Sequence, residues 1–356
     1  MPGRAYVGTR ASAQRGTLLV KASIEKLAES ATLEELLNRL KATPYSGALS
    51  DLVPPLTARK LELALRRRLD KTHYDLMKAA GEYRLIQLYY LKHIAWDLKS
   101  VLKSKALGKS YEESIEYLDM KAEELVGRRD LMVKVLSASD VQDAVALLSG
   151  TEFHADIEKA VAFFSANGEV RFFDIYVDHA VLTGISEAYS SESRLYSSSR
   201  AVDVAGIGEI VAIDVDAYNV VSVLRAKLWG LPSQEVRNLL VTPAFRVPVS
   251  VLMRMIGSES VSDAVKQIEH VYPTKGEGQT NDEELIDAVE EAFTNRMKAT
   301  LTKTFAWQKL GPVYALALIK LLEFEVNNLA AIAVGVEAQM SPKDIIRRLS
   351  LKDVPP

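Results

Sequence analysis

Residues 219–230 read Asn-Val-Val-Ser-Val-Leu-Arg-Ala-Lys-Leu-Trp-Gly, an asparagine, an apolar stripe and a closing glycine. Val220, Val223 and Leu224 share one helix face, and Gly230 stands where a helix C-terminus takes a left-handed residue. The phrase occurs twice more. Asp97 precedes Leu98, Val101 and Leu102 and leads to Gly108; Asn328 precedes Leu329, Ile332 and Ala333, contains Gly335 and leads to Gln339. A new helix start follows each break, at Ser110-Tyr111-Glu112-Glu113, Pro232-Ser233-Gln234-Glu235 and Ser341-Pro342-Lys343-Asp344. A leucine lies 21 residues beyond each anchor, at Leu118, Leu240 and Leu349. The anchors Asn219 and Asn328 sit on otherwise apolar faces, so they are expected to be buried or half-buried and bonded to neighbouring backbone.

Upstream, a second phrase also occurs three times. Thr32 precedes Leu33, Leu36, Leu37 and Leu40; Asp140 precedes Val141, Ala144, Val145 and Leu148; Ser260 precedes Val261, Ala264, Val265 and Ile268. Each is an N-cap residue followed by an i, i+3, i+4, i+7 stripe, which predicts a helix with one buried face. The capped phrases are spaced by 108 and 120 residues and the anchors by 122 and 109, so the middle copy is longer by about a dozen residues. Its serine-rich stretch near 186–208 is the candidate insertion and reads as an exposed loop. The expected organisation is an N-terminal helix at 4–17, then repeats at 18–125, 126–245 and 246–356.

Helix dominates elsewhere, with predicted elements at Ser23–Lys41, Thr57–Ile94, Tyr111–Val126, Asp282–Phe305 and Pro312–Val334. Strand-like runs are few, Val211–Val215 being the best, and the fold class is all-α. With 48% hydrophobic and 26% charged residues among 356, composition is that of an ordinary globular protein. A net charge of -3 gives no nucleic-acid footprint, and the absence of cysteine excludes disulfides, thiolate metal sites and cysteine nucleophiles. Met1 to Lys26 has no continuous apolar core like that of a signal peptide, so a cytoplasmic location is expected. The apolar stretch Gly311 to Val336 is long enough to span a bilayer, but Lys320, Glu323 and Glu325 in its centre favour a buried helix.

No catalytic, cofactor or metal constellation stands out. His73, His93, His154, His179 and His270 are scattered, and read as partly exposed or capping residues. Gly206-Ile207-Gly208 lacks the third glycine and the preceding strand of a dinucleotide fingerprint. Lys275 to Thr280 lacks the order of a phosphate loop, so no nucleotide binding is expected. Asp174 and Asp178 lie one turn apart, and Asn219 with Ser222 resembles part of a second metal motif, but no DDxxD is present and Ala226 stands where a glutamate is wanted. Arg66-Arg67-Arg68 reads as an exposed helix face or, more sharply, as a docking patch for an acidic partner surface or for anionic head groups.

These phrases resemble a known family. Residues 323–335, Glu-Phe-Glu-Val-Asn-Asn-Leu-Ala-Ala-Ile-Ala-Val-Gly, with Ser341-Pro342 and Ile345 to Leu349, resemble the C-terminal signature of the C-subunit family of V-type (archaeal A-type) rotary ATPases, whose eukaryotic counterpart is the d-subunit. Residues 219–230 resemble its middle repeat, Leu40 to Tyr45 its turn, and Tyr6, Arg10, Arg15 and Leu18-Leu19 its N-terminal helix. Asp97, Gln339 and the serine-rich stretch depart from the pattern. The resemblance implies a funnel-shaped, three-fold pseudo-symmetric helical protein. It implies a non-catalytic socket between the membrane proteolipid ring and the central-shaft subunits, peripheral at the cytoplasmic membrane face, serving ATP synthesis or ATP-driven proton or sodium transport. The breaks near Gly108, Gly230 and Gln339 would then offer Lys103, Lys105, Arg225 and Lys227 to the shaft. A helical-repeat adaptor unrelated to rotary ATPases is the alternative, and an all-α enzyme a third reading.

Overall fold

The computed structural model describes residues 4–81, 83–195, 201–273, 281–307 and 311–350. The first half holds α1 (Arg4–Arg15), α2 (Lys21–Ala28), α3 (Leu33–Lys41), α4 (Ala58–Ala80), α5 (Arg84–Ala106), α6 (Tyr111–Ile115), α7 (Lys121–Leu125), α8 (Arg129–Ser137) and α9 (Val141–Leu147). Next come α10 (His154–Asn167), α11 (Arg171–Leu195), α12 (Ala201–Leu228), α13 (Ser233–Asn238), α14 (Val249–Gly257) and α15 (Val261–Lys266). The chain ends with α16 (Asp282–Trp307), α17 (Pro312–Glu337) and α18 (Pro342–Arg348). No strand occurs among the described residues, and Val211–Val215 lies inside α12. The all-α expectation holds.

Three predicted helices are each two. Gly81 takes φ +64° and ends α4, which divides Thr57–Ile94. Residues 29–32 separate α2 from α3, and left-handed Met120 separates α6 from α7. Each division falls where the chain needs a left-handed residue or an N-cap that the apolar periodicity does not register.

The chain forms two compact units, residues 1–147 with 304–356, and residues 148–303. The repeat boundaries read from sequence do not coincide with them. In the first unit α17 is the central helix, packed against α1, α2, α3, α4 and α18. Val313 to Leu322 is buried on every face, as a helix apolar all round must be. No described helix is long and apolar enough to cross a membrane. In the second unit α11 pairs with α10 and α12, and α12 carries α13, α14 and α15.

The described part of the serine-rich stretch is helical rather than an exposed loop. α11 runs on to Leu195 and α12 begins at Ala201, while 196–200 lie outside the described residues. Ser186 is buried and its hydroxyl donates to Pro243 O at 2.7 Å. Serine disfavours a helix only slightly, and burial of Ile185, Ala188, Ile207 and Ile210 decides the matter. A Cβ on Gly208 would lie 2.0 Å from Tyr189 Oη, so the Gly-Ile-Gly stretch is a close α11–α12 contact.

Candidate functional site

The three capped phrases make the same local bonds. Thr32 Oγ1 accepts from Glu35 N at 3.2 Å, Asp140 Oδ1 from Asp143 N at 2.9 Å, and Ser260 Oγ from Asp263 N at 3.0 Å. The four stripe residues behind each cap are buried in all three copies. Each such helix packs on the anchor helix of the preceding copy, α9 on α5 and α15 on α12. In the first unit α3 likewise packs on α17, the helix that carries Asn328.

The anchors repeat as closely. Asn219 accepts Val241 N–H at 2.8 Å and donates to Val241 O at 3.0 Å. Asn328 accepts Ser350 N–H at 2.8 Å, and Asp97 accepts Met120 N–H at 3.1 Å. All three are buried. Each fixes the chain 22 or 23 residues downstream, just past the equally spaced leucine, to its own anchor helix.

The breaks between are three versions of one turn. Lys109 N donates to Ser104 O at 3.0 Å, Leu231 N to Ala226 O at 2.9 Å, and Met340 N to Gly335 O at 2.9 Å, the long bond of a Schellman closure. The residue at its left-handed position is Gly108 at φ 67°, Gly230 at φ 68° and Gln339 at φ 54°. Gln339, a departure in sequence, is none in backbone. Gly335 lets α18 approach: an added Cβ would lie 2.6 Å from Ile345 Cγ1.

The four candidate docking cations are engaged with their own chain. Lys105 Nζ donates to Ala138 O at 2.7 Å, and Lys227 Nζ donates to Ser258 O and, at 3.2 Å, to Ile256 O. Both lysines therefore hold the carbonyls just before the next copy's N-cap. Arg225 Nη2 meets Glu290 Oε1 at 2.5 Å on a half-exposed surface, and Lys103 is half-buried on α5.

The arginine triplet is neither a solvated face nor an open patch. Arg66 stacks 3.4 Å from the Trp96 ring centroid and reaches Glu62; Arg67 Nε meets Asp119 at 2.5 Å. Arg68 meets Glu325 Oε1 at 3.0 Å, with side chains 9% and 5% exposed. Glu325 also accepts Tyr45 Oη at 2.8 Å and Leu19 N at 2.5 Å, while Arg68 donates to Thr17 O at 3.1 Å. Burial raises the Glu325 carboxyl, and the Arg68 charge opposes it. Asp216 holds the matching position, three residues before Asn219. It accepts Tyr272 Oη at 3.0 Å and Arg246 N at 3.1 Å, and burial pushes it up to about 6.

Three histidines expected at or near the surface are buried. His73 Nδ1 lies 2.7 Å from His93 Nε2 and its Nε2 lies 3.0 Å from Ile86 O; His93 Nδ1 lies 2.9 Å from Asp70. Burial, and secondarily His93, holds His73 well below the ordinary histidine range. His179 pairs with Asp156 at 2.8 Å. No sequence signal marks these partners, which are 20 or more residues away. Among the described residues no group of three His, Asp or Glu could hold a metal ion. Asp174, Asp178, Ser222 and Arg225 line a cleft of about 350 Å³ between α11, α12 and α16 in the second unit, while Asn219 is turned to Val241 instead. Lys275 to Thr280 lie outside the described residues.

The geometry is that of a helical framework, and known proteins match its sequence over nearly its whole length. The family of the ATP synthase (C/AC39) subunit matches residues 7–348. The chain is 24% identical to the C-subunit of the A-type ATP synthase of Thermococcus kodakarensis over 96% of its length and 88% of the relative's. To that of Pyrococcus horikoshii it is 26% identical over 96% and 88%. To that of Methanothermobacter thermautotrophicus it is 24% identical over 97% and 87%. A match of this extent removes the unrelated-adaptor reading and the enzyme reading. The chain belongs to the ATP synthase (C/AC39) subunit family, which supplies a non-catalytic component of rotary ATPases.

Proposed function

We propose that this protein is the rotor socket of a rotary ATPase, joining the soluble central shaft to the membrane proteolipid ring and transmitting torque without chemistry of its own. The observation that carries the reading is the match over residues 7–348 to a family in which the similar relatives are C-subunits of A-type ATP synthases. The physics supports it. A torque coupler must not yield, and each copy bolts its anchor helix to the chain downstream through a buried side-chain bond. We also propose that the three copies are internal repeats, at 18–125, 126–245 and 246–356, and that the protein sits at the cytoplasmic membrane face through its partners.

Of the four docking cations, Arg225 is the best placed for the shaft, being the one with an exposed guanidinium. Lys105 and Lys227 tie loops, and their removal should act first on stability. Purified shaft subunits and detergent-solubilised ring should each be retained by the immobilised protein, and failure of both to bind would reject the socket. Arg225→Glu should weaken shaft binding, more at low salt, with helicity unchanged. Lys227→Met should lower the melting temperature with binding intact. If Arg225→Glu leaves shaft affinity unchanged at low salt, the docking assignment of that residue fails while the socket stands.

A further inference from the structure

The three anchors differ in chemistry. An asparagine amide can accept and donate at once, and Asn219 does both toward Val241. Asp97 accepts Met120 N–H at 3.1 Å, but as a carboxylate it has nothing to donate. Beside it lies Glu123, 0% exposed, whose two oxygens meet no donor group of any other residue. The side chain within bonding reach of each is the other carboxyl.

The surroundings supply no countercharge. Glu123 is on α7, which packs on α4, α5 and α8. On α4, Asp70 is occupied by His93 at 2.9 Å, Arg67 by Asp119 at 2.5 Å, and Glu62 holds Arg59 and Arg66. On α5, His93 faces Asp70 and His73, and Tyr90 Oη donates to Ala122 O. Lys99 and Lys103 are half-buried on α5, yet neither gives Glu123 a donor. α8 turns Met132, Val135 and Leu136 inward and leaves Arg129, Asp130 and Lys134 exposed. α6 and α9, which pack on α5, keep Glu112, Glu113 and Asp143 exposed. Two bare carboxylates here would repel in a low-dielectric interior and leave lone pairs unsatisfied.

We infer that Asp97 and Glu123 share one proton, which supplies the donor that the asparagine amide supplies at Asn219, and that its loss at higher pH loosens the joint between α5 and α7. Burial is the largest cause raising both carboxyls. The Met120 N–H opposes it at Asp97, and the neighbouring Asp97 charge adds to it at Glu123. The folded state therefore holds a proton that the unfolded chain releases in the ordinary carboxylate range. Stability from the pair is complete below that range and is lost as pH rises through the raised values.

The test uses the full chain, with two readouts. Infrared spectra of the wild type at about pH 6 should show a protonated-carboxyl carbonyl band that is lost as pH rises through about 9. Asp97→Asn and Glu123→Gln should each remove it, since either amide replaces the proton. Asp216 and Glu325 are also raised, so the readout is the difference between wild type and variant. In denaturant unfolding, one bound proton makes the wild-type folding constant fall about tenfold per pH unit from the ordinary carboxylate range up to the raised values, and level off above them. Either variant should flatten that slope. Should one variant fail to fold, the other and the wild-type spectrum still decide. A wild type without the band, or a slope unchanged in a folded variant, overturns the proposal.

Discussion

Asn219 in the second unit and Asp97 in the first do the same job with different chemistry. Each sits on a long helix and captures a backbone N–H about 22 residues on. The amide completes its bonds alone, whereas the carboxylate recruits a buried acid. The same kind of bond thus holds the downstream chain at both anchors, made by different residues. The same lesson holds three residues earlier, where Glu325 pairs with a buried arginine and Asp216 accepts only neutral donors.

That second contrast should give the largest effect. Glu325→Ala leaves Arg68 buried without its charge and removes the acceptor of Tyr45 and Leu19, so it should cost about 3–5 kcal/mol. Asp216→Ala strands only neutral donors and should cost about 1–3 kcal/mol. Urea unfolding of both variants ranks them; equal losses would mean that the Arg68 pairing contributes nothing beyond its hydrogen bonds. Asp216→Asn, by contrast, should flatten stability between about pH 4 and 6. Burial raises the wild-type group to about 6, so its contribution is lost as pH rises through that value.

Asn219→Ala leaves the N–H and C=O of Val241 buried and unpaired, an expected loss of about 2 kcal/mol by denaturant titration. Asn219→Asp keeps the acceptor and loses the donor. It should import into the second unit a decline of stability with rising pH that the wild type shows at the Asp97 anchor. A flat pH difference between Asn219→Asp and wild type would break the comparison.

Smaller effects belong to the breaks. Gly335→Ala drives a Cβ to 2.6 Å from Ile345 Cγ1 and should cost about 1–3 kcal/mol. Combined with Ile345→Ala the two losses should be less than additive, because the clashing atoms are gone. Gln339→Gly relieves a left-handed non-glycine residue at φ 54° and should raise stability by about 1 kcal/mol, visible as a higher melting temperature. No gain there would mean that the turn tolerates the side chain without strain.

What the sequence determined by itself is the set of features made within a few residues. The caps at Thr32, Asp140 and Ser260, the apolar stripes behind them and the left-handed glycines at 108 and 230 depend on neighbours one to six positions away, so spacing and residue type suffice. Asn219 and Asn328 were legible as buried anchors because an amide on an apolar face demands a partner, although the partner itself was not. Tertiary structure decided the rest. That α3 packs on α17, that Tyr45 and Arg68 meet at Glu325, that Lys105 and Lys227 tie loops, and that His73 faces His93 depend on contacts 20 to 280 residues apart. It also decided that the described part of the serine-rich stretch continues two helices and that Gln339 turns left-handed, because packing of the flanking elements outweighs local preferences worth about 1 kcal/mol or less.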